Sequence, residues 1–327
     1  MKRAYVDWNP KPATMEMVAI AEGVINDLRA QGFTLTLRQL YYQLVSKDLF
    51  PADRRWSWTG SKWVRDPSGT INAQPNYKWL GELMSRGRLA GFIDWWSMED
   101  RGRQLTAWVG HSGPEEAIQE ARDRFNLEKW DRQDHYCEVW IEKDALSGVF
   151  SRICSELEVP FFACKGYTSL SAMWRASQRL RRKTQEGKKV TIFHFGDHDP
   201  SGIDMTRDII DRLFDFHADL EVKRIALNMD QVEEFDPPPN PAKMSDSRAE
   251  GYVQEYGYES WELDALDPAT LSDLVRTEVD QVRDDVAWEE ALVEEKGYKR
   301  TLQLITENYE SVADYVEGFE LEEDDDG

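Results

Sequence analysis

The sequence predicts an α/β protein in three parts. A helical, winged-helix-like domain covers residues 1–110, a Rossmann-like domain with a mostly parallel sheet covers 130–270, and an acidic helical region with a disordered tail covers 271–327. Three observations predict this. Apolar residues recur at helical spacing through residues 13–90; β-rich and helical runs alternate from about residue 136; and the excess acid collects in the last third of the chain.

In the first part, Met17, Ile20, Ala21, Val24, Ile25 and Leu28 share one face of a helix over residues 13–31. A second helix starts at Thr36, where Gln39 three residues on completes a capping-box pattern. Leu37, Leu40, Tyr41, Leu44 and Val45 form its apolar stripe, so Tyr41 is expected in the core. Tyr42 lies off that stripe, one turn after Arg38 and on the same face. Residues 51–76, rich in Pro, Gly and Trp, read as a loop or short hairpin. A third helix over 76–90 precedes the strand-like run GFIDWWSM, and the order suggests a helix-turn-helix or winged helix.

In the second part, the runs YCEVWIE, VPFFAC, VTIFHF and VKRIAL alternate with helical segments over 145–157, 169–183 and 201–216, the pattern of βαβ units in a parallel sheet. FDPPPNPAK (235–243) marks a linker or surface crossing, and a helix-rich acidic region comes next.

Forty-one per cent hydrophobic residues and thirteen Trp exclude a wholly disordered chain. No apolar run approaches the roughly 18–20 residues a membrane span needs, and the start MKRAYVDWNPKP shows no secretory signal. Cys137, Cys154 and Cys164 lack metal-ligand spacing and read as buried thiols of a cytoplasmic protein. Residues 221–327 carry 9 basic against 31 acidic residues, which accounts for the whole net charge of −22 and leaves residues 1–220 neutral. Within that neutral part, basic residues cluster at Arg54, Arg55, Lys62 and Arg65; at Arg86 and Arg88; at Arg101 and Arg103; and at Arg179, Arg181, Arg182, Lys183, Lys188 and Lys189. Such clusters suit either a solvated face or a phosphate-tracking surface. Trp56, Trp58 and Trp63 interleave with the first cluster, as on a nucleic-acid surface, a dimer contact or a domain-packing surface.

Ligands of open parallel sheets bind beyond the carboxyl ends of the strands. Two predicted strands end there in acids: VWI runs into Glu142-Lys143-Asp144, and IFHF runs into Gly196-Asp197-His198-Asp199-Pro200-Ser201-Gly202. Asp197 and Asp199, two apart in an extended segment, point the same way. With Glu142 they make an oxygen-rich set suited to Mg2+, or a loop of solvated acids with a capping Asp. Glu262 and Asp264 in WELDAL, with Lys243, Asp246 and Arg248, read as salt bridges or as a second layer of polar contacts. His194 is expected in the core and His198 facing solvent or phosphate.

IEKDAL followed by FGDHDPSGID resembles the Toprim domain, with a glutamate after one strand and a DxD after a later one. TLRQLYYQL upstream resembles the winged-helix segment of the topoisomerase VI A subunit and the related meiotic double-strand-break protein, and PAKMSDSRAEGYVQEYGYESWELDAL resembles the stretch after the Toprim core in short stand-alone members. The resemblance spans most of residues 15–270. It implies that Glu142, Asp197 and Asp199 hold Mg2+ or Mn2+, that Lys143 contacts phosphate, that Arg38 orients a phosphate or steadies a phenolate, and that Tyr42 is a nucleophile forming a phosphotyrosyl bond with DNA. Arg54, Arg55, Lys62, Arg65, Arg86 and Arg88 are then the expected DNA contacts. In that family the tyrosine of one subunit works with the Toprim site of another, which implies a homodimer, and the chain shows no P-loop, so ATP-coupled strand passage implies a separate ATPase subunit. The alternatives are a hydrolytic nuclease using metal-bound water and a non-catalytic DNA-binding or assembly protein.

Overall fold

Pro12, whose missing N–H costs nothing in a first turn, opens α1 (Pro12–Ala30), which buries Met17, Val18, Ala21, Val24, Ile25 and Leu28. The capping box of α2 (Leu37–Ser46) is made in full: the Thr36 side chain accepts from the Gln39 N–H, and the Gln39 side chain accepts from the Thr36 N–H at 2.8 Å. A two-stranded antiparallel hairpin, β1 (Trp56–Trp58) and β2 (Trp63–Arg65), sets Trp58 opposite Trp63 and leads to α3 (Gln74–Leu89). The helices α1, α2 and α3 pack on one another. The computed structural model describes residues 2–98, 110–218 and 220–323, so Arg101 and Arg103 lie outside the described residues.

GFIDWWSM is not a strand. The chain turns at Gly91 (φ 77°) and then forms a 3-10 turn, Trp95–Ser97, because the Asp94 carboxylate accepts from the Trp96 N–H at 2.8 Å. Among the described residues, isolated bridges, Ala4 to Ala90 and Leu35 to Met98, flank it.

The next helix, α4 (Pro114–Arg124), belongs to a separate compact unit made of Gln104–His135 and Val282–Gly327; the other unit comprises Met1–Arg103 and Tyr136–Gln281. In that larger unit, which takes β3 (His135–Ile141) from Tyr136 on, β3, β4 (Phe161–Ala163), β5 (Lys189–Phe195) and β6 (Glu221–Ala226) form a parallel sheet in the order β4-β3-β5-β6. The connecting helices are α5 (Ser147–Glu156), α6 (Leu170–Gln185) and α7 (Pro200–Asp215). Met173, Ala176 and Leu180 of α6 and Met205, Ile209 and Leu213 of α7 pack with Trp140 and Ile192 in one core cluster. Elsewhere in this unit Phe150 of α5 meets Phe195 edge-on at 4.9 Å.

The core also holds a buried carboxylate. Glu138 in β3 is met by Arg179 Nε and Nη2 at 2.7 and 2.8 Å, by the Tyr136 hydroxyl at 2.9 Å and by Trp140 Nε1 at 3.0 Å. Arg179, one of the basic run expected as a solvated or phosphate-tracking face, is therefore spent on Glu138. The three cysteines are free and buried, as expected.

After β6 come α8 (Met229–Phe235), β7 (Asn240–Pro241), α9 (Ala249–Tyr256), β8 (Glu259–Ser260), a 3-10 turn at Leu263–Ala265 and α10 (Pro268–Asp280), which packs on α5. β7 and β8 pair antiparallel, so the proline-rich linker ends in a strand.

The smaller unit packs α4 against α11 (Asp285–Glu307) and continues into α12 (Tyr309–Glu323). Lys129, buried there, pairs with Glu295, and Trp130 meets Trp288 at 5.6 Å. The tail expected to be disordered is helical as far as Glu323, and residues 324–327 lie outside the described residues. Among the described residues no helix is long and apolar enough to cross a membrane.

Candidate active site

The strand ends deliver the three acids to one place. The β3 and β5 ends are held side by side by the Glu142 N–H, which donates to Phe195 O at 2.9 Å, and by Glu142 Oε2, which accepts from the Asp197 N–H at 2.9 Å. Asp199 caps α7, its Oδ1 accepting from the Gly202 N–H at 2.6 Å and from the Ser201 hydroxyl at 2.8 Å. Gly202 is there for space: a Cβ would stand 2.3 Å from Asp197 O and 3.1 Å from Glu142 Oε2. Beneath the loop, Arg224 donates to the carbonyls of Gly196, Asp197, Gly202 and Leu227 and so holds its backbone.

Glu142, Lys143, Asp197 and Asp199 line a cavity of about 870 Å³, together with Arg38 and Tyr42 of α2. The Asn240–Glu262 segment supplies a third wall through Asn240, Pro241, Lys243, Ser260 and Glu262. The hairpin and the start of α3 supply Trp58, Trp63, Gln74 and Tyr77. The expected catalytic and metal-binding residues Arg38, Tyr42, Glu142, Lys143, Asp197 and Asp199 thus line one cavity.

Their partners differ from expectation. Lys143 does not stand free for a phosphate: its ammonium contacts Asp197 Oδ2 and Glu262 Oε2 at 2.6 Å and Asp264 Oδ1 at 3.4 Å. Arg38 Nε donates to Asp264 Oδ2 at 2.5 Å, and its Nη2 pairs with Glu262. Asp264, fully buried, is the shared counter-ion of both cations. The WELDAL acids are therefore both salt bridges and the second layer of the site. Of the other residues grouped with them, Lys243 lines the cavity, whereas Arg248 pairs with Asp246 and with Asp204.

Tyr41 is core, its hydroxyl accepting from the Ala73 N–H at 2.7 Å. Tyr42 is equally buried, because the segment carrying Asn240 and Asp264 covers its side of α2. Arg38 lies 5.6 Å from the centre of the Tyr42 ring, as their shared face requires. Burial and then Asp264 push the Tyr42 hydroxyl above its ordinary value, outweighing the opposing pull of Arg38, the hydrogen bond from Asn240 and Lys143. His198 is not exposed: it is buried against Tyr252, Tyr256 and Trp261, with Nδ1 2.8 Å from the Tyr252 hydroxyl, and burial lowers it to about 4. His194 is core, as expected, and burial lowers it to about 3.

The expected DNA contacts lie on the hairpin and α3, outside the cavity lining. Arg54 stacks on Trp79 at 3.6 Å and Arg65 on Trp56 at 4.5 Å; Arg55 reaches Asp48; Lys62 and Arg86 are exposed. Arg88 is committed to structure, donating to Trp95 O at 2.9 Å and Met98 O at 3.2 Å. Sequence reasoning missed Arg224 and Asn240. The single Arg that breaks the apolar end of VKRIAL is the one signal that points to Arg224; Asn240 has none.

The acids suit a divalent cation by donor chemistry. Glu142 makes no ion pair among the described residues, and burial with Asp197 beside it pushes its carboxyl up to about 7. Burial likewise raises Asp197, against the pull of Lys143. A buried carboxylate without an ion pair among the described residues, as Glu142 is, suits a hard, oxygen-seeking cation, and Mg2+ usually takes only one or two carboxylates. As the side chains stand, no group of three or more acids, histidines or cysteines among the described residues is gathered for an ion. Neither Glu142 nor Asp199 pairs with Lys143 among the described residues; their carboxylates accept instead from the Asp197 N–H and from the Ser201 hydroxyl and Gly202 N–H.

Asp264→Asn is expected to destabilise the larger unit by about 3 kcal/mol, the low end for breaking a buried ion pair, because the Arg38 and Lys143 side chains keep 38 % and 21 % exposure. Urea unfolding of the variant against wild type measures it. A loss below about 0.5 kcal/mol, the scale of an ordinary surface substitution, would show that the network does not hold the cavity walls.

No family model matches this chain, and no curated protein matches it.

Proposed function

We propose that the cavity cleaves DNA strands by phosphodiester transfer to Tyr42, with Glu142, Asp197 and Asp199 serving the phosphate. The observation that carries this reading is that Tyr42 and the three acids, remote in sequence, line one cavity of about 870 Å³ in one chain. Mg2+ held by Glu142 and Asp199 would supply positive charge to the phosphate oxygens as negative charge develops on them.

The chain's own residues do the rest. Tyr42 gives its Oη proton to solvent water and attacks phosphorus, the bond from phosphorus to the departing sugar oxygen breaks, and that oxygen takes a proton from solvent water and leaves as a hydroxyl. Arg38, beside the ring, offsets the charge of the phenolate on the way to attack. Lys143 keeps Asp197 in place and neutralises part of the acid wall, which lets an anionic strand approach. Arg224 fixes the loop that carries both aspartates.

A second reading has one observation in its favour. The raised pKa of the Tyr42 hydroxyl weakens it as a nucleophile, which favours hydrolysis by water at the same acids. Incubation with negatively supercoiled DNA, which opens locally into unpaired strands, and Mg2+, followed by electrophoresis with and without protease digestion, separates the two. Nicked or linear product that enters the gel only after protease is expected for transfer to Tyr42. Product independent of protease would favour hydrolysis, and no metal-dependent product would overturn both.

A further inference from the structure

The cavity has two chemically different walls. Opposite in character to the acids, the hairpin contributes Trp58 and Trp63, a cross-strand pair whose rings lie 5.5 Å apart and tilted by 55°. The third hairpin tryptophan shows what a structural one looks like here: Trp56 donates from Nε1 to Asn76 Oδ1 at 2.9 Å and lies under Arg65. Trp58 has no such hydrogen-bonded anchor among the described residues, and it is half exposed at 50 %. Trp58 pairs across the hairpin with Trp63 on one side and lines the cavity with a ring that stays half exposed, which leaves aromatic surface for a ligand to cover. Lys62, exposed in the turn between the two tryptophans, adds the positive charge that a strand's phosphates need.

Size and geometry narrow the ligand. A cavity of about 870 Å³ is in the range that small-molecule sites occupy, roughly 300–1,000 Å³, so it admits a nucleotide or two and not a double helix. Bases inside a duplex are covered on both faces by their neighbours and show only their edges to a groove, whereas an indole stacks on a face. Only a base taken out of the stack can use Trp58 and Trp63.

Building on the phosphodiester proposal, we infer that the cavity takes an unpaired nucleotide of a DNA strand, its base stacked on Trp58 and Trp63 and its phosphate on the side of Glu142, Asp197 and Asp199. The exposed Gln74 amide on the same wall offers a donor and an acceptor to the base edge. The substrate class is then DNA with a locally unpaired strand: a single strand, a splayed end or a junction. An intact duplex is bound only by the outer basic residues and is a poor substrate.

The test is binding by the full chain, in Mg2+, of a fluorescently labelled single-stranded oligonucleotide and of the blunt duplex of the same sequence. The single strand is expected to bind more tightly. Trp58→Ala is expected to weaken single-strand binding by roughly 5- to 150-fold, the fold-change of losing one base–aromatic stack, and to leave duplex binding unchanged. Trp58→Phe is expected to restore part of the loss. Trp58 is half exposed, so the fold is expected to survive, and circular dichroism checks it. Equal binding of both oligonucleotides, or a Trp58→Ala variant that binds the single strand as wild type does, would overturn this inference while leaving cleavage at the acids standing. Binding of neither oligonucleotide would overturn the phosphodiester reading with it.

Discussion

Glu142→Gln is expected to abolish cleavage and, at the same time, to make the protein more stable. The activity loss stems from the role proposed for the carboxylate: a neutral amide does not hold a divalent cation against solvent, and loss of an electrostatic element of this kind costs about 10²–10³ in rate. The gain in stability stems from the geometry. Glu142 is buried beside Asp197 without an ion pair among the described residues, and its carboxyl is pushed up to about 7. The folded state therefore holds the proton more tightly than the unfolded chain does. The stability this contributes is full below the ordinary carboxylate value, is lost as pH rises through about 7, and is absent above it. Glutamine keeps an oxygen for the Asp197 N–H and carries no charge, so the variant escapes that loss. Thermal unfolding at pH 8 without metal is expected to show a gain on the order of 1–3 kcal/mol, shrinking as pH falls through about 7 and gone below the ordinary carboxylate value. A variant less stable than wild type at pH 8 would show that Glu142 is structural. Mg2+ is expected to stabilise wild type at pH 8 and to leave Glu142→Gln unmoved.

Tyr42→Phe is expected to eliminate every protein–DNA covalent product while the protein folds normally. The hydroxyl makes a single described hydrogen bond, from Asn240 Nδ2 at 3.3 Å, so its removal is expected to cost no more than about 1 kcal/mol. The ring remains against Arg38 and Tyr41, and the Arg38–Asp264 pair is untouched. Denaturing electrophoresis of end-labelled DNA then reads the adduct directly. If transfer to Tyr42 is the route, the labelled band that co-migrates with wild-type protein disappears. Metal-dependent cleavage that survives at the wild-type rate would assign the chemistry to water at the acids and leave Tyr42 as packing.

The site was legible to the extent that it rests on local rules. A strand ending in an acid places that acid at the carboxyl edge of a parallel sheet, and two such strands pointed to Glu142, Asp197 and Asp199 from sequence alone. The Thr36–Gln39 box likewise marked the start of α2 to the residue. What stayed hidden depends on segments distant in sequence. Helical periodicity put Tyr42 beside Arg38 correctly, yet it says nothing about what covers that face, and residues 240–264 return over α2 to bury it. For the same reason Arg38, read as orienting a phosphate or steadying a phenolate, and Lys143, read as a phosphate contact, are found on Asp264, whose burial no spacing rule reveals. GFIDWWSM failed in the opposite way: its composition is strand-like, and a single Asp94 side chain that bonds the backbone two residues on turns it. Arg88, read as a DNA contact, closes that same turn.

The central claim is that one chain's Tyr42 and strand-end acids act on the same phosphodiester. It is tested most directly by trapping wild-type protein on DNA in Mg2+, digesting the DNA to its last attached nucleotide, and mapping the modified peptide by mass spectrometry. The account predicts a nucleotide on the peptide carrying Tyr42, present only with metal and absent from Glu142→Gln. A nucleotide on Tyr41 or any other side chain, or cleavage with no modified peptide at all, would contradict it.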